Sequence, residues 1–118
     1  MISALTDYMH YGWHVVPIHG VMVSRYGEMK CTCGRDDCSS PGKHPTTPNG
    51  LKNATTRKDW IEAWWKKWPY ANIGIVTGQV SGIVVVDIDP RHGGNDSLDD
   101  LFVKHGAFSD TAEVITGG

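Results

Sequence analysis

A long stretch without periodic hydrophobicity, residues 19–50, most constrains the fold of this chain. It holds all three cysteines and is rich in Gly, Pro, Ser and Thr, and a loop this long needs its own organiser inside a small domain. Cys31, Cys33, Cys38 and His44 follow the spacing C-x-C-x4-C-x5-H. Three thiolates and one imidazole are typical of a closed, structural zinc site, and metal binding supplies folding free energy where no apolar core exists. The alternative is a loop with three reduced cysteines.

An apolar, β-branched run ends in two aspartates. Residues 83–88 predict a buried strand, and alternation along a strand places Asp87 and Asp89 on the same face. Their Cβ atoms would then lie about 6.5–7 Å apart. Two carboxylates at that spacing can share one hard divalent cation or bracket a pair of cations. The run therefore predicts a divalent-metal site; the alternative is that both carboxylates are solvated in the following loop.

Composition excludes several classes of protein. The chain of 118 residues is 40% hydrophobic and 20% charged, as expected of about one globular domain. No apolar run approaches the ~20 residues of a membrane span, and no signal peptide is present, which predicts an intracellular protein. Nine of the eleven Lys and Arg residues lie between Arg25 and Lys67 with five acids, a local charge of +4. Such a bias suits polyanion binding on one surface, or else it is ordinary solvated charge.

The hydrophobic pattern predicts short elements on either side of the long stretch. We expect helices at residues 4–11, from 55 or 56 to about 67, and at 97–104, and strands at 13–18, 73–77, 83–88 and 112–115, with a hairpin turn at 78–82. Thr56 and Asp59 predict a near-capping box for the second helix, and Asp96 or Ser97 a cap for the third. The tryptophans of the second helix are assigned to the core except Trp65, which shares its side with lysines.

Several polar residues are candidates for phosphate contact. Lys43 lies in a stiff Pro-Gly-Lys-His-Pro turn beside the last proposed zinc ligand, and Lys52 follows nearby. Asn72, Thr77 and Gly78 flank the strand next to the aspartates, where amide and hydroxyl groups would lie near a bound phosphate. The alternatives are surface charge for the lysines and turn formation for the others.

Several of these motifs occur together in a specific order. They are Cys31-x-Cys33-Gly34, Cys38, Pro41-Gly42-Lys43-His44-Pro45, Gly50-Leu51-Lys52-Asn53-Ala54-Thr55, Trp64-Trp65-x-x-Trp68-Pro69, Ala71-Asn72-Ile73-Gly74-Ile75, Thr77-Gly78, Ser81-Gly82 followed by the run through Asp87-Ile88-Asp89-Pro90, and Thr116-Gly117-Gly118. In this order they resemble the N-terminal domain of bifunctional DNA primase–polymerases, the prim-pol branch of the archaeo-eukaryotic primase superfamily. Such enzymes are typically encoded by plasmids, phages and integrated elements.

The resemblance implies an α+β fold and a set of functional residues. The fold would be a small antiparallel sheet with helices packed on one side, an RNA-recognition-like primase core, carrying a zinc-stem insertion at about residues 20–50. Asp87 and Asp89 would be the catalytic ligands of Mg²⁺ or Mn²⁺, and the Cys/His set the ligands of a structural zinc. Thr116 and Gly117 would lie at the nucleotide-binding segment. The implied partners are DNA template and primer, nucleoside triphosphates and a helicase domain or protein, with no membrane, in the cytoplasm of a bacterial, archaeal, plasmid or phage system.

The chain departs from the family pattern at its end. It stops at Gly118, before the family's small-x-His motif and its later metal-binding aspartate, so residues 1–118 are expected to form the N-terminal part of one prim-pol domain. We expect this part to bind metal weakly and not to polymerise alone. Two alternatives stay open: a zinc-stabilised nucleic-acid-binding module with incidental aspartates, and a nucleotide-sugar transferase that uses the Asp-x-Asp.

Overall fold

The protein has an α+β fold with small antiparallel sheets in this computed structural model, which describes residues 2–116. The helices are α1 (Ile2–His10), α2 (Lys58–Lys67) and α3 (Gly94–His105), and the strands are β1 (Val15–Ile18), β2 (Val21–Val23), β3 (Met29–Cys31) and β4 (Asn72–Ile75). The chain divides after Val84 into two units, which are described separately. None of the helices in the described range is long and apolar enough to cross a membrane.

The core of the first unit forms around the antiparallel pair β1–β4. Val15 lies opposite Ile75, and Pro17 lies opposite Ile73, so these four side chains share one face of the sheet. Leu5 of α1 and Ile61 of α2 are buried against Val15 on that face. Both helices therefore pack on one side of the sheet, because each presents its apolar stripe to the same strand.

The other face of this sheet requires a glycine in β4. A Cβ added at Gly74 would lie 2.8 Å from both Cγ1 and Cδ1 of Ile18 and 3.2 Å from Cγ1 of Val16. These two β1 side chains fill the space above the glycine, and Val16 is fully buried. The absence of a side chain at residue 74 thus lets the β1–β4 pair carry apolar side chains on both faces.

A second antiparallel pair, β2–β3, lies within the stretch for which the sequence predicts no regular structure. Val21 pairs with Cys31, Met22 with Lys30 and Val23 with Met29. The strands have three residues each and all but Cys31 are exposed. Sequence periodicity fails here because three residues are too few to display a period of two.

The expected start and cap of α2 are wrong, and so are the assignments of Trp65 to the surface and of Trp60 to the core. The helix starts at Lys58, Arg57 takes the N-cap position without a side-chain capping bond, and Asp59 instead accepts hydrogen bonds from the Arg57 guanidinium. Trp65 packs against the core and its Nε1 donates to the Ala71 carbonyl at 3.1 Å, whereas Trp60 is 45% exposed. Local charge pairing therefore replaces the predicted capping box, and the one Trp assigned to the surface is partly buried.

The predicted strand at residues 83–88 is not formed. Ile83 makes an isolated antiparallel bridge with Gly78, which confirms the predicted turn between them, but residues 84–89 have no regular structure. Val84 is 86% exposed. A strand needs neighbouring backbone to satisfy its amides and carbonyls, and within residues 2–116 no segment pairs with 84–88.

The second unit contains α3 and a preceding 3-10 helix, Pro90–His92. The α-helix begins three residues before the predicted start: Gly93, at φ +76°, takes the N-cap position instead of Asp96 or Ser97. A Cβ at Gly94 would lie 2.6 Å from the backbone N and O of Asp89, so only glycine permits this close return of the chain. The strand predicted at residues 112–115 is also wrong, since that segment has no regular structure.

Candidate metal centre

The four residues of the predicted zinc site converge in the first unit. Cys31 ends β3, Cys33 lies in the turn that follows, and Cys38 comes directly after the next turn. His44 directly precedes Pro45, which bridges to Ile18 at the end of β1. Their ligand atoms all lie within 4.8 Å of one another. The Nε2 atom of His44 is 3.4 Å from the Sγ of Cys31 and 3.4 Å from the Sγ of Cys38.

These separations fit a tetrahedral zinc ion. Zn–S bonds of about 2.3 Å and Zn–N bonds of about 2.0–2.1 Å place neighbouring ligand atoms about 3.5–3.8 Å apart. The observed 3.4 Å contacts are within a few tenths of an ångström of that range. Three sulfur donors and one imidazole leave no coordination position for a substrate. The cluster can therefore hold zinc in a structural role.

The backbone around the cluster is tied to both small sheets. The Gly42 amide donates to the Sγ of Cys31 at 3.4 Å, and the His19 amide donates to the His44 carbonyl at 2.9 Å. Gly42 has φ +69°, and a Cβ there would lie 3.1 Å from the Val21 side chain. Val21 also pairs with Cys31. The turn at Gly42, the β2–β3 pair and the proposed zinc ligands therefore hold one another in place.

The electrostatics of the cluster favour a thiolate at Cys31. Burial raises the pKa of the Cys31 thiol, but hydrogen bonds from the backbone amides of Gly42 and Cys33 and from the side chains of Cys33 and His44 outweigh it and lower the pKa to about 6. The Ser40 amide lowers the pKa of Cys38, but burial and the neighbouring Cys33 and Cys31 raise it overall. The hydrogen bonds at Cys31 thus favour its thiolate, which is the form of cysteine that binds a metal ion.

Two residues beside the cluster were not identified from the sequence. The His19 ring lies 4.6 Å from the His44 ring, centroid to centroid, and its Nδ1 is hydrogen bonded to the Thr32 Oγ1 at 2.9 Å. Thr32 Oγ1 also accepts the Gly20 amide at 3.1 Å. Burial and the nearby His44 lower the pKa of His19, which favours a neutral ring next to the ligand. No spacing in the sequence reveals this pair, since it depends on where β1 ends relative to β3.

The two aspartates have different surroundings from those expected. The Asp89 Oδ1 accepts from the Arg91 amide at 3.0 Å and from the Arg91 Nε at 3.2 Å, and its Oδ2 is 2.7 Å from the His92 Nδ1. These contacts, first with His92 and then with Arg91, lower the pKa of Asp89. Asp87 is exposed in backbone without regular structure. Carboxylate oxygens suit Mg²⁺ or Mn²⁺, but the shared strand face is not formed.

No third ligand joins this pair in the described part of the chain. The Cys/His cluster is the one group of three or more His, Cys, Asp or Glu side chains there that could hold a metal ion. A metal at Asp87 and Asp89 would need Asp89 to exchange the Arg91 and His92 contacts for the ion.

Most of the candidate phosphate-contacting residues that the structure describes are exposed. Lys43, Lys52 and Thr77 are exposed. Asn72 is exposed at the start of β4, where its Nδ2 donates to the His19 carbonyl at 3.5 Å, and Gly78, at φ +88°, closes the turn with Ile83. Thr116 is exposed without regular structure, and Gly117 lies outside the described residues. Their role in nucleotide or DNA binding stays a prediction.

The fold and the cluster together define a small α+β domain with a zinc-type Cys3His centre. A family model described as bifunctional DNA primase/polymerase, N-terminal, matches residues 5–118. The chain belongs to this family, as the order of the sequence motifs predicts. No curated protein and no solved structure matches the chain. The family supports a function of the DNA primase/polymerase type and implies DNA and nucleotides as substrates.

Proposed function

We propose that this domain takes part in template-directed nucleotidyl transfer on DNA. The observation that carries the proposal is the family match along residues 5–118, which includes both the Cys/His cluster and the Asp-x-Asp. The convergence of Cys31, Cys33, Cys38 and His44 supports a structural zinc, because this loop has no apolar core of its own that would otherwise bring four donors together. Lys43 and Lys52, exposed near this loop, contact the phosphates of template or primer in this proposal.

Asp87 and Asp89 are the proposed ligands of the catalytic Mg²⁺ or Mn²⁺. When bound, such an ion lowers the pKa of a primer 3′ hydroxyl and offsets charge on the triphosphate. His92 and Arg91 lower the pKa of Asp89 and so favour its ionised form, and those two side chains must release the carboxylate when metal and nucleotide bind.

Nucleotide incorporation by the full-length protein tests the proposal. A primed DNA template, deoxy- or ribonucleoside triphosphates and Mn²⁺ or Mg²⁺ are expected to give primer extension. Asp87→Ala should reduce the rate by about a hundredfold or more, because it removes charge stabilisation where negative charge develops. Asp110→Ala, which removes another exposed acid of the second unit, should leave the rate unchanged. Normal extension by Asp87→Ala would refute the assignment of this residue.

A second candidate is a zinc-stabilised nucleic-acid-binding module without catalysis. The engagement of the Asp89 carboxylate by Arg91 and His92 favours it, since this pairing gives the residue a structural use as the N-cap of the 3-10 helix. This function predicts DNA binding that is indifferent to Mn²⁺ and to Asp89→Ala, with no incorporation by the full-length protein under any metal condition. Metal-dependent incorporation that Asp87→Ala abolishes would exclude it.

A further inference from the structure

The β2–β3 ribbon exposes an unusual amount of apolar surface for its size. Its exposed apolar side chains are Val21, Met22, Val23, Tyr26 and Met29. By the strand register, Val21, Val23 and Met29 share one face, and Tyr26, at the turn, is 83% exposed. Exposed apolar side chains that share one face of a short element outside the main core indicate an interaction site.

The ribbon is held firmly at its base, which is the metal cluster itself. Cys31 is the last residue of β3 and a proposed zinc ligand. Immediately after it, the Thr32 amide donates to the Gly20 carbonyl at 3.0 Å, and the Gly20 amide donates to the Thr32 Oγ1 at 3.1 Å. A two-stranded ribbon alone is marginally stable in water. The zinc loop therefore has a use beyond its own folding, because it orders a ribbon that would not order itself.

The tip of the ribbon is a closed turn that carries the exposed Tyr26 and, before it in the chain, Arg25. The Ser24 Oγ accepts the amides of Tyr26 and Glu28, both at 3.2 Å, and the Ser24 amide donates to the Glu28 carbonyl at 2.8 Å. Arg25 has no carboxylate partner among residues 2–116. It also opens the basic segment of the chain, which has a charge of +4 from Arg25 to Lys67. Neither tip side chain is needed for the turn, since Ser24 closes it.

We propose that this tip binds single-stranded DNA, with an unpaired base stacked on the Tyr26 ring and the neighbouring phosphate at Arg25. Proteins that bind bases without regard to sequence combine exposed aromatic rings with cations that contact the backbone, and exposed apolar side chains, here Val23 and Met29, can pack against an unstacked base. The proposal rests on the proposed function for the choice of DNA as partner. In this proposal, the part of the template strand next to the primer end lies on the ribbon. Arg25 and Tyr26 contact this DNA in addition to Lys43 and Lys52.

Photocrosslinking tests the contact directly. The probe is a primer–template DNA with 5-iodouracil at the first unpaired template base and fluorescein on the primer, mixed with the 118-residue chain loaded with zinc. Irradiation is expected to join the iodouracil to the tryptic peptide that contains Tyr26, identified by mass spectrometry. In fluorescence anisotropy, Tyr26→Ala should weaken binding about tenfold, and Arg25→Ala should lower the slope of log affinity against log salt by about one.

Tyr70→Ala is the matched control, because Tyr70 is 89% exposed and lies outside the ribbon. Affinity equal to that of the unsubstituted chain is expected for it. The inference is overturned if Tyr26→Ala binds DNA normally, if Tyr70→Ala weakens binding as much, or if the crosslink falls on other peptides. It is also overturned if sedimentation finds a dimer that Val23→Asp dissociates while DNA affinity is unchanged, since the ribbon then binds a second copy.

The two proposals fail separately. Asp87→Ala should leave the anisotropy and the crosslink unchanged, because it acts on nucleotide incorporation alone. Loss of incorporation in Asp87→Ala together with normal DNA binding by Tyr26→Ala would retain the proposed function and reject the ribbon contact. Ribbon-dependent DNA binding without any nucleotide incorporation by the full-length protein would retain the ribbon contact and reject the proposed function.

Discussion

The Cys/His cluster and the Asp87–Asp89 segment are both predicted metal sites, yet only the first is assembled. The cluster's residues lie on or beside paired backbone: Cys31 ends β3, and His44 is tied to His19 at the end of β1. The aspartates lie in backbone that pairs with nothing in the described range. Spacing along the chain selects the donors in both cases. Convergence additionally requires backbone that is held by hydrogen bonds, which the first site has and the second lacks.

The largest effect is expected from loss of a cluster ligand. Cys31→Ser should abolish stoichiometric zinc binding and lower the melting temperature of the chain by about 10 °C or more, because zinc binding is coupled to the folding of the loop. Zinc content by mass spectrometry and thermal unfolding by circular dichroism measure the two effects. Ser40→Ala, an exposed neighbour, is the control and should match the unsubstituted chain. One bound zinc and an unchanged melting temperature in Cys31→Ser would show that the cluster is not the organiser of the loop.

A smaller effect is expected from the turn that supports the cluster. Gly42→Ala should weaken zinc binding by more than tenfold, because a side chain at φ +69° already costs about 1–2 kcal/mol, or about tenfold in affinity, and its Cβ would also press on Val21 at 3.1 Å. Competition with a chromophoric chelator measures the affinity. Gly34→Ala is the matched control: Gly34 has φ +77° but no atom within 4 Å of the added Cβ. Equal losses in the two variants would mean that backbone strain, not contact with the ribbon, sets the affinity.

The response to acid should distinguish the Cys/His cluster from the Asp87–Asp89 segment. Zinc binding requires deprotonated ligands, so protons should compete with zinc for the three thiolates and the imidazole, and zinc content should drop between pH 7 and pH 4. The Asp89 carboxylate should stay ionised over that range, because its pKa is below its ordinary value of 3.8. Dialysis at each pH followed by metal analysis checks the first statement. Zinc that is fully retained at pH 4 would contradict it.

The smallest effect is expected at Asp89. Asp89→Asn should lower the melting temperature slightly at pH 7, since it removes the charge that pairs with Arg91 and His92. Because the pKa of Asp89 is lowered in the folded chain, its contribution is present above pH 3.8 and is lost as the pH falls through the folded value. The difference between variant and unsubstituted chain should therefore vanish in strong acid. Asp87→Asn is the control. A larger decrease in melting temperature for Asp87→Asn than for Asp89→Asn would show that the stabilising contact is not at Asp89.

Much of the first unit is predictable from the sequence. The helices α1 and α2 and the strands β1 and β4 appear within a few residues of their predicted positions, because apolar residues with a clear period, such as Leu5 and Ile61, are also the ones that become buried. The four donors of the cluster are equally predictable, because Cys and His residues at close spacing are typical metal ligands. His19 and Thr32 escape detection because their closeness to His44 depends on the meeting of two chain segments.

The wrong predictions concern segments whose local preference for a secondary structure is not matched by their tertiary contacts. The run at residues 83–88 has strong β propensity, but a strand is a property of a pair, and no partner lies within residues 2–116. Conversely, β2 and β3 are too short to predict, yet they form because Val21 and Cys31 are brought together beside the cluster. The predicted N-cap of α3 is wrong for a related reason. Gly93 and Gly94 allow the chain to return close to the backbone of Asp89, and residue propensities do not describe such a contact.

By itself the sequence determined the family, the donors available for metal and the apolar faces of the main helices, because residue chemistry and helical period are local properties. Tertiary structure alone decided which backbone segments became strands, that the four Cys/His ligand atoms meet within 4.8 Å, and that Asp89 is held by Arg91 and His92. The physical reason is that a hydrogen-bonded pair or a coordination site depends on the positions of both partners. Sequence records each partner's chemistry, and only folding sets the distance between them.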